Sequence, residues 1–151
     1  MDIEKVVVFQ MNEQSFGANI DQVISVERPT DFTSVPVQVK GLRGVINLRS
    51  KVTPVIDLKE RLQLGQTEIT QTTRILVVQV AQFQVGLLVD AATEVLTIDP
   101  EAVEEASDFT LGHQEAHLSG VVKRSDSLLI LLNLEEILNE KEVDALEEAA
   151  L

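Results

Sequence analysis

The chain has no cysteine, no tryptophan and no tyrosine, and its only aromatic residues are five phenylalanines among 151 residues. Without cysteine it has no disulfide, no thiolate nucleophile and no thiolate metal site. So few rings leave little for nucleobases to stack on, and 25 acidic against 12 basic residues, a net charge of −13, repel a phosphate backbone. Nucleic acid is a poor partner. Long apolar runs are also missing: nothing approaches the roughly 18 residues of a membrane-spanning helix. The amino terminus, MDIEKVVVF, has two early acids and no long apolar core, so it does not read as a secretory signal. A cytoplasmic location without membrane insertion is expected.

What is present is 44% apolar residues, enough to build the core of one ordinary domain or of two small intertwined lobes. The sequence is also written twice. Gly44 to Leu58, GVINLRSKVTPVIDL, returns without a gap as Gly120 to Leu134, GVVKRSDSLLILLNL, at an offset of 76. Upstream, Val6 to Val26 returns as Ile75 to Val95 at an offset of 69, matching Gln10 with Gln79, Gly17 with Gly86 and Asp21 with Asp90. The order is kept, and the two offsets differ by a seven-residue insertion in the second half. Two copies predict a duplicated lobe, with repeats 6–64 and 75–139 inside a single domain 1–139 and a terminal helix over 140–151.

Short Val, Ile and Phe runs bounded by turn residues predict strands. Val6–Met11 is expected to pair with Phe16–Val26 across Asn12–Ser15. Arg28–Lys40, broken by Pro29 and Pro36, reads as a connecting loop. The Gly44 hairpin follows. Pro54 cannot donate to a ladder, so its strand is expected to be an edge or to bulge there. Leu58–Leu64 reads as a helical turn or tail, and Gly65–Thr73 as a polar linker. After the second copy of the opening hairpin, Arg74–Leu96, a short helix is expected at Glu101–Ala106 and loop or irregular strand at Gly112–Ser119. Strands then lead into Leu134–Leu138. Asn139 with Glu142 resembles a capping box, opening a helix with Val143, Leu146 and Ala150 on one face and Glu147 and Glu148 outside. Many short strands with regular turns predict two small barrels, not a parallel sheet with crossover helices.

Charge is uneven along the chain. Arg28 to Arg61 holds seven basic residues against three acidic ones, a net +4, which leaves −17 for the remainder. Such a segment can steer an acidic partner, although solvated side chains satisfy the same count.

Three motifs in order, Gly44-Val45-Ile46-Asn47-Leu48-Arg49, Pro54-Val55-Ile56-Asp57-Leu58 and Val85-Gly86-Leu87-Leu88-Val89-Asp90, resemble the signature of the CheW family, the chemotaxis coupling proteins. The resemblance spans Val6 to Leu138. It implies two SH3-like five-stranded β-barrel lobes with a short C-terminal helix, and a non-enzymatic adaptor without cofactor. It also implies two partners: the cytoplasmic tip of a chemoreceptor, a methyl-accepting chemotaxis protein, and the regulatory domain of the histidine kinase CheA. The protein would then be cytoplasmic and recruited to membrane-associated receptor arrays. Receptor tips are expected in the groove between the lobes, where apolar anchors supply affinity.

Within that resemblance Arg49 matches the family's arginine at the hairpin turn, where its planar fork can bond backbone carbonyls or an acidic side chain. Asn47, Val23, Ser25 and Val26 are the accompanying receptor-site candidates. Alternation would put Val23 and Ser25 on one face of their strand and Ile24 and Val26 on the other. Gly44, Ile46, Leu48 and Lys51 are candidates for a partner-facing hairpin, with Ile46 and Leu48 equally able to face the barrel interior. Three positions depart from the family pattern. Ser50 stands where Gly is usual and would be strained at positive φ. Ser25 stands where Glu is often found, and Val39 where Pro is common.

Catalytic arrangements are weak. His113 and His117 lie four apart, but Glu115 is displaced from the position a helical zinc-protease motif needs, so a metal site is not expected. Asp21, Asp57 and Asp90 recur at strand ends and read as turn or capping residues. Neither a phosphate-binding loop beyond Gly41-Leu42-Arg43-Gly44 nor a nucleophile elbow is present. The alternative to an adaptor is an SH3-like regulatory or ligand-sensing domain related to the kinase regulatory domain, which would need a concave pocket with convergent polar groups.

Overall fold

The β-branched runs become strands, and the polar breaks at Asn12-Glu13 and Arg49-Ser50 become two-residue turns. In a computed structural model, which describes residues 5–80, 82–104, 118–137 and 140–150, the first half forms β1 (Lys5–Met11), β2 (Gln14–Asn19), β3 (Val23–Glu27), β4 (Leu42–Leu48) and β5 (Lys51–Asp57). A single helical turn, α1 (Leu58–Arg61), follows. The second half forms β6 (Arg74–Val80), β7 (Phe83–Val89), β8 (Ala91–Thr97), β9 (Val103–Glu104), β10 (Leu118–Lys123) and β11 (Leu128–Leu132), then α2 (Glu140–Ala150). The chain is mainly β, as the sequence predicts. His113, His117 and the proposed cap Asn139 lie outside the described residues, as do the side chains of Val143, Glu147 and Ala150; Leu146 on α2 is buried and Glu148 exposed.

Two sheets form, and each takes strands from both halves of the chain. One runs β8-β1-β2-β11-β10-β9 and the other β3-β6-β7-β5-β4. The opening hairpin of each repeat therefore leaves its own half and joins the later strands of the other. The joints are parallel and obey the repeat: Leu131 pairs with Gly17, and Val55 pairs with Gly86 at the equivalent positions. Both glycines are set by close approach. A Cβ at Gly86 would lie 2.7 Å from Cγ2 of Ile75, and one at Gly17 would lie 3.0 Å from Cδ2 of Leu131.

Three apolar clusters organise the interior. Val6, Val8, Ile98, Val122, Leu129 and Leu131 fill the concave side of the six-stranded sheet. Ile46, Val55, Ile75, Val77 and Leu88, with Phe32 and Leu48 against them, fill that of the five-stranded sheet. The largest cluster joins the two sheets back to back, drawing Phe9, Met11 and Phe16 from one and Leu76, Val78 and Val85 from the other, with Leu146 of α2. Burying each such aliphatic side chain contributes about 1.5–3 kcal/mol.

Several local expectations are corrected. The opening hairpin does not run unbroken to Val26: the Asn19 side chain accepts from the Asp21 N–H and starts a 3-10 turn at Ile20–Gln22, which redirects β3 into the other sheet. The cap there is Asn19, not Asp21. The strand of Pro54 is not an edge strand and does not bulge there: β5 pairs with β4 along its length and with β7 from Val55 onward, so Pro54 stands just outside the β7 ladder. Its register partner Val45 turns its N–H and C=O to Thr33, at 2.8 and 2.9 Å, so Val45 and Pro54 form a non-hydrogen-bonded pair and the ring removes nothing from that ladder. The bulge falls on β4, between Leu42 and Gly44. Pro100–Ala102 is a 3-10 turn capped by Asp99, and Val103 and Glu104 are strand instead of helix. The linker is tied down: Thr67 donates through its N–H and its hydroxyl to Asp57, both at 2.8 Å.

Candidate functional site

The edge strand β3 carries the receptor-site candidates, and a β-bulge decides where they point. Val23 pairs with Val78 and Val26 with Leu76, while Ser25 pairs with Val77 and the ladder slips between Val23 and Ser25. Residues directly opposite in an antiparallel pair share a face, and an extra residue at a bulge breaks alternation. Val23 and Val26 therefore both lie on the face of the central cluster, and Ser25 on the concave face with Glu27. This corrects the simple alternation, which separated Val23 from Val26. Val23 packs against the central cluster, whereas Val26 is 43% exposed at its rim. The Oγ of Ser25 is buried without a partner among the described residues.

The same construction recurs on β8. Val95 pairs with Val7 of the central cluster, the register slips at the same place, and Ala92 packs inward like Val23. Val95 is 55% exposed. Strand β8 also touches β6, the strand that pairs with β3. Sequence reasoning missed Val95, although applying the offset of 69 to Val26 points straight at it.

The β4–β5 hairpin is split by the pleat. Asn47, Arg49 and Lys51 are exposed. Ile46 is buried in the concave cluster, Leu48 packs on it, and Gly44 is closed off by Thr33, so these three wall the barrel. Arg49 and Ser50 have φ of 52° and 66°, the pair of left-handed residues of a type I′ turn. Glycine, usual in the family at Ser50, is thus the residue that the turn favours. The Arg49 side chain is 72% exposed and its guanidinium lies 3.8 Å from the Glu27 carboxylate. In such an exposed setting that pair is worth little.

Much of the basic segment is spent internally. Arg43 pairs at 3.1 Å with Asp57, Lys59 at 3.3 Å with Asp90, and Arg61 with Glu142 on α2. Arg61 also donates from Nε to the carbonyl of Ile137 at 2.8 Å. These ties leave Arg28, Lys40, Arg49 and Lys51 to face a partner. Asp57 is fully buried and accepts from the N–H groups of Lys59, Glu60 and Thr67, the Thr67 hydroxyl and Arg43. It is a capping residue, as expected. Asp90 accepts from the Asn12 N–H at 2.8 Å and from Lys59, fastening the β1–β2 turn to α1.

Among the described residues no group of three His, Cys, Asp or Glu side chains could hold a metal, and no helix is long and apolar enough to cross a membrane. What the site offers is exposed apolar side chains on strands and an exposed arginine at a hairpin turn. That is the equipment of a binding protein: a small two-sheet scaffold whose surfaces do the work. A profile of the CheW-like domain matches residues 5–142. The chain is 35% identical to the chemotaxis protein CheW of Bacillus subtilis over 138 residues, covering 91% of this chain and 88% of that one. It is 31% identical to a probable chemotaxis protein CheW of Rhizobium etli over 141 residues, covering 93% and 91%. The crystal structure of the scaffolding protein TtCheW from Thermoanaerobacter tengcongensis superposes with a TM-score of 0.82 at 32% identity, over 94% of this chain and 93% of that one. The chain belongs to the CheW family. It is accordingly a non-enzymatic chemotaxis scaffold.

Proposed function

We propose that this protein couples the cytoplasmic tips of chemoreceptors to the regulatory domain of the histidine kinase CheA, working in the cytoplasm at membrane-associated receptor arrays. The observation that carries this reading is the exposure of both Val26 and Val95, at equivalent positions of the repeat on two edge strands, each opposite a residue of the central cluster. An amphipathic helical hairpin needs such a strip: apolar anchors spaced across a groove and polar groups at the rim. Arg49 supplies the rim, its backbone placed by the turn and its guanidinium near Glu27, one residue beyond Val26. Val23 gives the floor of the groove, Asn47 and Lys51 extend its polar margin, and Ser25 sits behind the strand. The two intertwined lobes act as one domain, because the central core crosses between them and leaves a separate surface for the kinase.

The test is co-purification of this chain with a chemoreceptor cytoplasmic fragment and, separately, with the kinase regulatory domain. Both should be retained. Arg49→Ala should lose receptor retention while keeping the melting temperature and kinase binding. Retention of neither partner by the parent chain would refute the adaptor reading.

A further inference from the structure

Ile69 is the sole apolar side chain in the linker Gly65–Thr73, and it is 51% exposed. It stands on the wall of a depression of about 510 Å³ that it shares with Arg28, Pro29, Thr70, Gln71 and Arg74. Two elements bring the arginines there. Glu27 pairs with Ile75, so Arg28 leaves β3 directly across from Arg74 at the start of β6. Arg74 is half-buried and pre-oriented, its Nη1 donating to the carbonyls of Gln71 at 2.9 Å and Thr73 at 2.7 Å. Those bonds use one nitrogen and leave the rest of the fork to a ligand.

Charge makes the pair informative. Arg43, Lys59 and Arg61 each have an internal carboxylate, yet among the described residues neither Arg28 nor Arg74 makes an ion pair, in a chain of net charge −13. Of the neighbouring acids, Glu27 faces Arg49, Glu68 lines the adjoining depression with Lys59 and Asp90, and Asp31, three residues beyond Arg28, makes no ion pair with either arginine and does not line the depression. Two guanidiniums flanking an apolar side chain match a carboxylate next to an aliphatic group, with the forks bonding the carboxylate and Ile69 covering the aliphatic part. A polyanionic nucleic acid fits poorly, because the rest of the surface repels it.

We infer that this depression is a second docking site, separate from the Val26–Val95 strip, and that its occupant is an acidic peptide segment of a protein partner carrying alternating carboxylate and aliphatic side chains. The probe is a fluorescein-labelled hexapeptide of alternating glutamate and leucine, followed by fluorescence anisotropy against the full chain. Saturable binding is expected, weakened at least about tenfold by Arg28→Glu and by Arg74→Ala, and weakened by Ile69→Ser. Val95→Glu, on the other edge strand, should leave it unchanged, which separates this site from the receptor reading. A peptide with lysine in place of glutamate should not bind. If Arg74→Ala lowers the melting temperature, Arg28→Glu, at an exposed position, decides alone. Absence of binding, equal binding of the lysine peptide, or full binding by Arg28→Glu overturns the proposal.

Discussion

Val26 and Val95 are one position written twice: each follows a bulge on an edge strand, each lies opposite a buried residue of the central cluster, and each is itself exposed. An exposed valine on a strand is ordinary alone. Two at equivalent places of the repeat, each opposite the central cluster, are the proposed receptor anchors.

That relationship makes the first prediction. Val26→Glu and Val95→Glu should each reduce capture of a chemoreceptor cytoplasmic fragment by tenfold or more, since a carboxylate at a desolvated anchor position costs about 2 kcal/mol or more. Both positions are solvent-accessible, so unfolding free energy should move by no more than about 0.5 kcal/mol. Denaturant titration alongside the binding assay separates the two effects. Full capture by both variants would remove the strip from the receptor site.

The second prediction concerns the hairpin turn. Arg49 and Ser50 both carry positive φ, a conformation that costs a residue with a Cβ about 1–2 kcal/mol. Ser50→Gly relieves the second of these and gives back part of the gain through the greater freedom of the unfolded chain. A net stabilisation of about 0.5–1 kcal/mol is expected, a rise of about 1–4 °C in melting temperature. Receptor binding should persist, because Arg49 keeps its place. A lower melting temperature would mean that the Ser50 side chain stabilises the turn in a way its backbone does not reveal.

The duplication was legible in sequence because Gly17 and Gly86, and Gly44 and Gly120, recur at fixed offsets for reasons of space that both halves share. The exchange of hairpins between sheets was not, since a repeat records which strands are equivalent and not which of them pair. The family resemblance nominates Val23, Ser25 and Val26 as a group, but alternation misplaces their facing, because a bulge leaves no mark in a run such as VISVE. Likewise the charge surplus of Arg28–Arg61 was visible, but its loss to Asp57, Asp90 and Glu142 depends on contacts that reach as far as α2.

The third prediction follows from Asp57. Its carboxylate is fully buried and gathers donors from α1, from the linker at Thr67 and from Arg43 on β4. Asp57→Ala removes the acceptor and strands several of these donors, costing about 3–5 kcal/mol. Arg43→Ala should cost less. The Arg43 side chain is 29% exposed, and Asp57 keeps its backbone and hydroxyl donors without it. Urea denaturation of the two variants orders them; a larger loss for Arg43→Ala would place the stability of this network in the ion pair and not in the capping bonds.

The fourth prediction sets the two equivalent glycines against each other. Both sit at the parallel joint between the halves, so an added methyl presses on the seam that makes the chain one unit. The obstacles differ. At Gly86 the new Cβ would meet Cγ2 of Ile75 at 2.7 Å, and that methyl is attached directly to a β-carbon and moves only with the strand. At Gly17 the nearest atom is Cδ2 of Leu131 at 3.0 Å, the far end of a side chain that can change rotamer, and the β-branched Val6 stands farther off with its Cγ2 at 3.3 Å. Overpacking costs about 1–3 kcal/mol, and Gly86→Ala should fall at the upper end with Gly17→Ala at the lower. Thermal and urea unfolding of both variants check the order. Equal losses would mean that the backbones of both joints yield alike, and that neither side chain sets the limit.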